Sequence, residues 1–206
     1  MLRCAVFASG GGSNFKALLE RSLTGDLHAQ FVLMIGNNST AAVFEHARKH
    51  HIPTLHCAPS HFDSEQQYSS FLIAQLEKCN AQMIVLAGYM KKLPTEIVEK
   101  YQGRIINIHP SLLPAFGGKG MYGSNVHKAV IECGVRVTGV TVHFVDEEYD
   151  QGPIISQEPV KVLDTDTPQT LAARVLAMEH ATYWRALDAI SRGKICLEGR
   201  RVKGNV

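Results

Sequence analysis

The sequence predicts an α/β fold. It is a doubly wound, mostly parallel sheet of about seven strands, with helices on both faces and an antiparallel C-terminal extension. Three observations predict it. Short continuous apolar runs alternate with amphipathic helical stretches from the first residues onward. Most of these runs end at glycine, asparagine or proline, as buried strands feeding right-handed crossover helices do. Beyond residue 135 the alternation yields to two long strand-like segments joined by an acidic turn. The 206 residues are enough for a self-sufficient core and fit one domain, 1–206.

Each element follows from local pattern. Leu2–Ala8 is apolar apart from Arg3 and stops at Ser9-Gly10-Gly11-Gly12, a buried strand and its turn. Ser13–Ser22 reads as a helix with Phe15, Leu18 and Leu19 on one face, and Ser13 or Asn14 suits its N-cap. Phe31–Ile35 is a second buried strand, closed by Gly36-Asn37-Asn38. Ala42–His51 is helical and Thr54–Cys57 is a short third strand. Ser64–Cys79 is a long helix with Tyr68, Phe71, Leu72, Gln75 and Leu76 as its stripe. Met83–Ala87 is a strand, Pro94–Tyr101 a helix and Ile105–Ile108 a fifth strand. Val126–Cys133 is a helix, and Arg136–Val145 and Ile154–Val162 are the two long strands. Thr167–Arg192 is a long helix, with Thr165 or Asp166 as cap and Gly193 just past its end. Lys194–Leu197 and Arg201–Lys203, across Glu198-Gly199-Arg200, read as a small hairpin. The whole order is that of a Rossmann-like sheet.

Composition excludes several classes. With 21 basic and 19 acidic residues the net charge is +2, which makes no electrostatic case for nucleic acid. No apolar run approaches the ~20 residues of a membrane span, and no signal-peptide pattern opens the chain, so a cytoplasmic protein is expected. The five cysteines (Cys4, Cys57, Cys79, Cys133 and Cys196) are odd in number and scattered. They read as reduced, mostly buried thiols rather than a disulfide framework or zinc site. His46, His50, His51 and His61 read as surface or partly packed residues without metal-ligand spacing, and no metal is expected.

In a doubly wound sheet, ligands bind beyond the carboxyl ends of the strands. Ser9-Gly10-Gly11-Gly12-Ser13-Asn14 lies there. Its glycines and the following helix N-terminus suit a phosphate, or the segment is simply a tight strand-to-helix turn. It is not the dinucleotide fingerprint, because Phe15 stands where a third glycine belongs and Asn37 and Asn38 replace the ribose acid. Asn107-Ile108-His109-Pro110 ends the fifth strand, and residues two apart share a face. An amide donor and an imidazole aimed at one point suit an oxyanion and a proton transfer, or they satisfy nearby loop backbone. Asp150 could hold such a histidine in its tautomer, though nothing local separates it from Asp146, Glu147 and Glu148. His143 is either a further site residue or a satisfied histidine under the sheet.

Five segments taken together resemble the folate-dependent formyltransferase family, in order through nearly the whole chain. They are the glycine loop, Leu86-Ala87-Gly88-Tyr89-Met90, Asn107-Ile108-His109-Pro110-Ser111-Leu112-Leu113-Pro114, Gly139–Val145 and Asp150-Gln151-Gly152-Pro153-Ile154-Ile155. The resemblance implies one catalytic domain that moves the formyl group of 10-formyltetrahydrofolate, a co-substrate, to the amine of glycinamide ribonucleotide in purine biosynthesis. Its nucleotide-phosphate half ends near residue 100 and its folate and catalytic half begins near 101. The implied catalytic trio is Asn107, His109 and Asp150. Gly12, Ser13, Asn14 and Glu179 would take the ribonucleotide, and Tyr89, Met90, Lys91, Lys92, Leu93, Asn107 and Asp146 the folate. The implied partners are these small molecules alone, with no nucleic acid or membrane, on a monomer or homodimer.

Two features depart from the family pattern. Lys91 stands in place of an arginine, and Ala115–Gly123 is longer and richer in glycine than the usual connection. That segment is either a mobile flap or a loop variant. Rival readings are a 10-formyltetrahydrofolate hydrolase, a formyltransferase for a sugar nucleotide or an aminoacyl-tRNA, an NAD-dependent oxidoreductase and a non-catalytic binding domain. Only eight residues precede Ser9 and only a hairpin follows the long helix, so the extra domains of the larger relatives are not expected.

Overall fold

A computed structural model describes residues Met1–Val206. Its strands are β1 (Leu2–Ala8), β2 (Ala29–Gly36), β3 (Thr54–His56), β4 (Met83–Leu86), β5 (Ile105–His109), β6 (Val137–Phe144), β7 (Ile154–Lys161), β8 (Ile195–Glu198) and β9 (Arg201–Gly204). Its helices are α1 (Ser13–Leu23), α2 (Val43–Lys49), α3 (Glu65–Lys78), α4 (Thr95–Lys100), α5 (Ser124–Cys133) and α6 (Pro168–Ser191), with a 3₁₀ turn at Pro59–His61. Seven strands form one sheet in the order β3-β2-β1-β4-β5-β6-β7, and β8 and β9 form a separate hairpin. The expected fold class is the observed one. The chain divides into two compact units, Met1–Ile106 and Asn107–Val206.

In the first unit β1 runs parallel to both β2 and β4, and β3 is parallel to β2. Pairing with β1 draws Ala29 and Gly36 into β2, which is why that strand outruns its apolar core at both ends. Cys4–Ala8 and Met34–Ile35 are fully buried, as strands covered on both faces require. The start of α1 differs from expectation: its N-cap is Gly12, in left-handed backbone at φ 74°, and no side chain caps it. A Cβ at Gly12 would lie 2.4 Å from Val43 Cγ2, so the turn needs glycine for space as well as for φ. Ser64 caps α3 by accepting from Gln67 N at 3.2 Å. Tyr68, Leu72 and Leu76 form its buried stripe, while Phe71 stays 37% exposed and turns to Phe62.

In the second unit β6 and β7 are antiparallel, from Val137↔Lys161 to His143↔Ile154, with a register shift between Val142 and His143. Val126, Val130, Val140, Val160, Val162, Leu171 and Val175 make its core. The cap of α6 is Thr167, which accepts from Thr170 N, rather than Thr165 or Asp166. Asp166 instead accepts from Thr170 Oγ1 and from Arg174. The thiols are less buried than expected: Cys4 and Cys57 are buried, Cys79 is half-buried, and Cys133 and Cys196 are exposed. No helix is long and apolar enough to cross a membrane.

Candidate active site

The second unit gathers the polar side chains expected to work together. Asn107 and His109 share one face of β5, two residues apart. His109 is 3% exposed, and its Nε2 lies 2.8 Å from the carbonyl oxygen of Phe116. A carbonyl only accepts, so Nε2 carries a proton. The other nitrogen, Nδ1, faces Asp150 Oδ2 at 3.6 Å. Asp150 sits in the β6–β7 loop in left-handed backbone, φ 57°, a conformation aspartate tolerates better than most residues. Its Oδ2 accepts from Gly118 N at 2.8 Å, which aims the carboxylate.

His143 joins this group. Its Nδ1–H donates to the Phe144 carbonyl at 2.8 Å, so Nε2 is left as an acceptor. Asn107 Nδ2 donates to it at 3.2 Å. That contact fixes the amide orientation and engages one of its two N–H groups. Burial holds the His143 pKa below its ordinary value, against opposing pulls from the Phe144 carbonyl and Asp150. A neutral imidazole is what the acceptor role needs. His143 Nε2 also lies 3.7 Å from Asp150 Oδ1. His127, on α5, likewise has a lowered pKa, from burial first and then the neighbouring His109 charge.

The sequence Pro110–Gly118 folds so as to supply partners to both catalytic candidates. Thr141 Oγ1 donates to the Ser111 carbonyl at 2.7 Å and accepts from Leu113 N at 3.0 Å. Gln157 Nε2 donates to the Leu113 carbonyl at 2.9 Å. The Ser111 hydroxyl donates to the Ala115 carbonyl at 2.6 Å, so it closes the turn rather than serving His109. Phe116 takes a positive φ of 55°, which presents its carbonyl to His109. At Gly117 a Cβ would lie 2.5 Å from Leu113 Cδ2 and 3.2 Å from Asp150 Cβ. The glycine-rich segment is therefore tied to His109 and Asp150 by its backbone, and Phe116 and Met121 pack on the valine core.

The first unit holds the other expected residues. Ser9 Oγ donates to Asn37 Oδ1 at 2.6 Å and accepts from Met90 N at 2.8 Å. Ser9 thus ties the glycine loop after β1 to the Tyr89–Leu93 segment after β4. Ser13 is exposed and Asn14 is 9% exposed, at the first turn of α1. The Tyr89 ring packs edge-on to Phe7 at 5.3 Å, and its hydroxyl meets that of Tyr68 at 3.0 Å. Burial pushes the Tyr89 pKa up, so the phenol stays neutral. Met90 is half exposed, Lys91 and Lys92 are exposed, and Leu93 is buried. Back in the second unit, Glu179 is buried on α6, and Asp146 Oδ1 accepts from Glu148 N at 3.2 Å. No group of three or more His, Cys, Asp or Glu side chains is arranged to hold a metal ion.

The sequence alone does not place His143 in the site, nor the Phe116 carbonyl and the Gly118 amide beside His109 and Asp150. The paired glycines 117 and 118 are the one local feature that marks a close approach there. An amide donor, a buried imidazole and an oriented carboxylate beside one strand end define an α/β protein of the acyl-transfer class. The formyl transferase family matches residues 2–187, and the chain belongs to it.

The chain is 39% identical over 183 residues to the phosphoribosylglycinamide formyltransferase of Bacillus subtilis, covering 89% of this chain and 91% of that protein. It is 45% identical over 194 residues to the chloroplastic enzyme of the same name from Arabidopsis thaliana, covering 94% of this chain. It spans 66% of the length of that plant relative. The crystal structure of glycinamide ribonucleotide transformylase 1 from Symbiobacterium toebii superposes with a TM-score of 0.94 at 36% identity, covering 100% of this chain and 95% of that one.

Proposed function

We propose that the protein transfers the formyl group of 10-formyltetrahydrofolate to the amine of glycinamide ribonucleotide, a step of purine biosynthesis. The observation that carries this reading is the grouping of Asn107, His109 and Asp150, with Asn107 oriented by His143 and Asp150 by Gly118. The similarity to enzymes named for this reaction supports the substrate assignment.

The amine nitrogen attacks the formyl carbon, and a C–N bond forms as the carbonyl oxygen takes up negative charge. The other N–H of Asn107 donates to that oxyanion, and His109, protonated, stabilises it by its charge. Asp150, facing His109 Nδ1, relays the amine proton toward the folate nitrogen, whose bond to the formyl carbon then breaks. The 3.6 Å gap between His109 and Asp150 is too long for a direct hydrogen bond; a water molecule or tightening on substrate binding closes it. Gly12, Ser13 and Asn14 bind the substrate phosphate at the helix N-terminus, and Glu179 holds the ribonucleotide. Tyr89, Met90, Lys91, Lys92, Leu93, Asn107 and Asp146 contact the folate. We place the protein in the cytoplasm, a reducing compartment that suits the odd number and scattered spacing of its cysteines.

The test is a spectrophotometric assay of folate release with both substrates present. Release that depends on the amine supports the reading. Release without it points to a 10-formyltetrahydrofolate hydrolase, and no release at all overturns both.

A further inference from the structure

We infer that Arg200, at the turn of the β8–β9 hairpin, is a positioning residue that tethers the loop carrying Asp150. The inference rests on the proposed formyl transfer for its kinetic consequence only.

The loop from Asp146 to Gly152 is closed at its base. Phe144 N donates to the Pro153 carbonyl at 2.8 Å, and Gly152 packs so tightly on Phe144 that no Cβ fits. Beyond that base the loop has an internal bond, from Glu148 N to Asp146 Oδ1, and further contacts come from outside it. On one side the Gly118 amide meets Asp150. On the other, the loop borders a cavity of about 580 Å³ shared with Leu113, Pro114, Arg201 and Lys203, so packed side chains do not support it there.

Arg200 spans that open side. One guanidinium nitrogen, Nη2, donates to the carbonyl of Gln151, the residue after Asp150. The other, Nη1, lies 3.6 Å from Asp146 Oδ2 at the start of the loop. A planar fork is suited to gripping two points at once, which a lysine ammonium is not. A single exposed ion pair holds little on its own. Here its second bond lands on the backbone next to Asp150, so what it restrains is the carboxylate's position. Lys203 on the same hairpin pairs with Glu198 instead.

Without the tether the loop spends part of its time with Asp150 away from Gly118 and His109. If the competent fraction falls to about a tenth, kcat falls about tenfold while the KM for glycinamide ribonucleotide holds.

The test pairs kinetics with amide hydrogen exchange on the substrate-free protein. Arg200→Ala is expected to speed exchange at residues 146–153 and at Gly118 and to lower kcat. Arg200→Lys should fall between it and the wild type, and Lys203→Ala should match the wild type. Asp146→Asn removes one arm only, so a smaller acceleration is expected, and it serves if Arg200→Ala fails to fold. Unchanged exchange overturns the tether whatever the kcat. Faster exchange with unchanged kcat overturns its role in positioning. If the wild-type protein formylates nothing, the functional reading fails, and exchange alone decides whether Arg200 holds the loop.

Discussion

The substitution Gly152→Ala tests whether the position of Asp150 governs turnover. An added Cβ would lie 1.8 Å from the Phe144 carbonyl oxygen and 2.8 Å from its carbon. A comfortable carbon–oxygen contact is about 3.3 Å, so the backbone must retreat by roughly 1.5 Å. Both colliding atoms belong to main chain at the end of β6, so no side-chain rotation relieves the clash. The movement falls two residues after Asp150 and pulls on its 2.8 Å contact with Gly118. A misplacement of about 1 Å in a catalytic group costs on the order of 10²-fold, and that loss in kcat is expected here.

The stability cost of the same substitution is smaller. The closing bond from Phe144 N to the Pro153 carbonyl contributes about 1 kcal/mol, and local overpacking adds about 1–3 kcal/mol. At about 2–4 °C per kcal/mol, Tm falls on the order of 10 °C and the protein stays folded at 25 °C. The assay is folate release with both substrates saturating, beside a thermal melt. A kcat within about threefold of wild type would refute the reasoning, because tolerance of that size means the loop's position is not what limits catalysis.

Other perturbations separate the remaining roles. Asn107→Ala removes the oxyanion donor and is expected to lower kcat by about 10²–10³-fold. It also leaves the buried His143 Nε2 without its donor, about 1–3 kcal/mol, so Tm falls by several degrees while the protein stays folded; a melt and saturation kinetics check it. Ser13→Ala is expected to raise the KM for glycinamide ribonucleotide and leave kcat alone, and unchanged saturation would remove the phosphate role from that loop. His143 and His127 both have folded pKa values below the ordinary 6.5. Unfolding therefore takes up protons between those lowered values and 6.5, so stability is full above about pH 6.5 and declines as pH falls below it. Melts across that window should show Tm level on the alkaline side and falling on the acid side, with the fall reduced in His127→Gln.

Much of this architecture is legible in the sequence because period and punctuation carry it. Buried strands need continuous apolar runs, and Leu2–Ala8 and Met83–Leu86 have them. Strand ends and caps are less legible because tertiary partners decide them. Ala29 and Gly36 join β2 only through pairing with β1. Thr167 rather than Asp166 caps α6 because the Asp166 carboxylate is taken by Arg174 and Thr170. Asn107 and His109 stand out as a pair because a strand's two-residue period puts both on one face.

Asp150 shows where local sequence stops. Among Asp146, Glu147, Glu148 and Asp150, composition offers no choice. What selects Asp150 is a left-handed backbone at φ 57° and a hydrogen bond from Gly118, 32 residues away in the chain. Both depend on a glycine-rich segment whose own course depends on Thr141 and Gln157 gripping Ser111 and Leu113. Gly117 has to lack a Cβ because the Leu113 side chain, and then Asp150, come so near, and Gly152 because the Phe144 backbone does. The glycines that look like slack in the sequence are thus places where the chain packs too closely around the Asp150 loop to admit a side chain. A substitution that adds volume at either is therefore expected to disturb turnover more than it disturbs the fold.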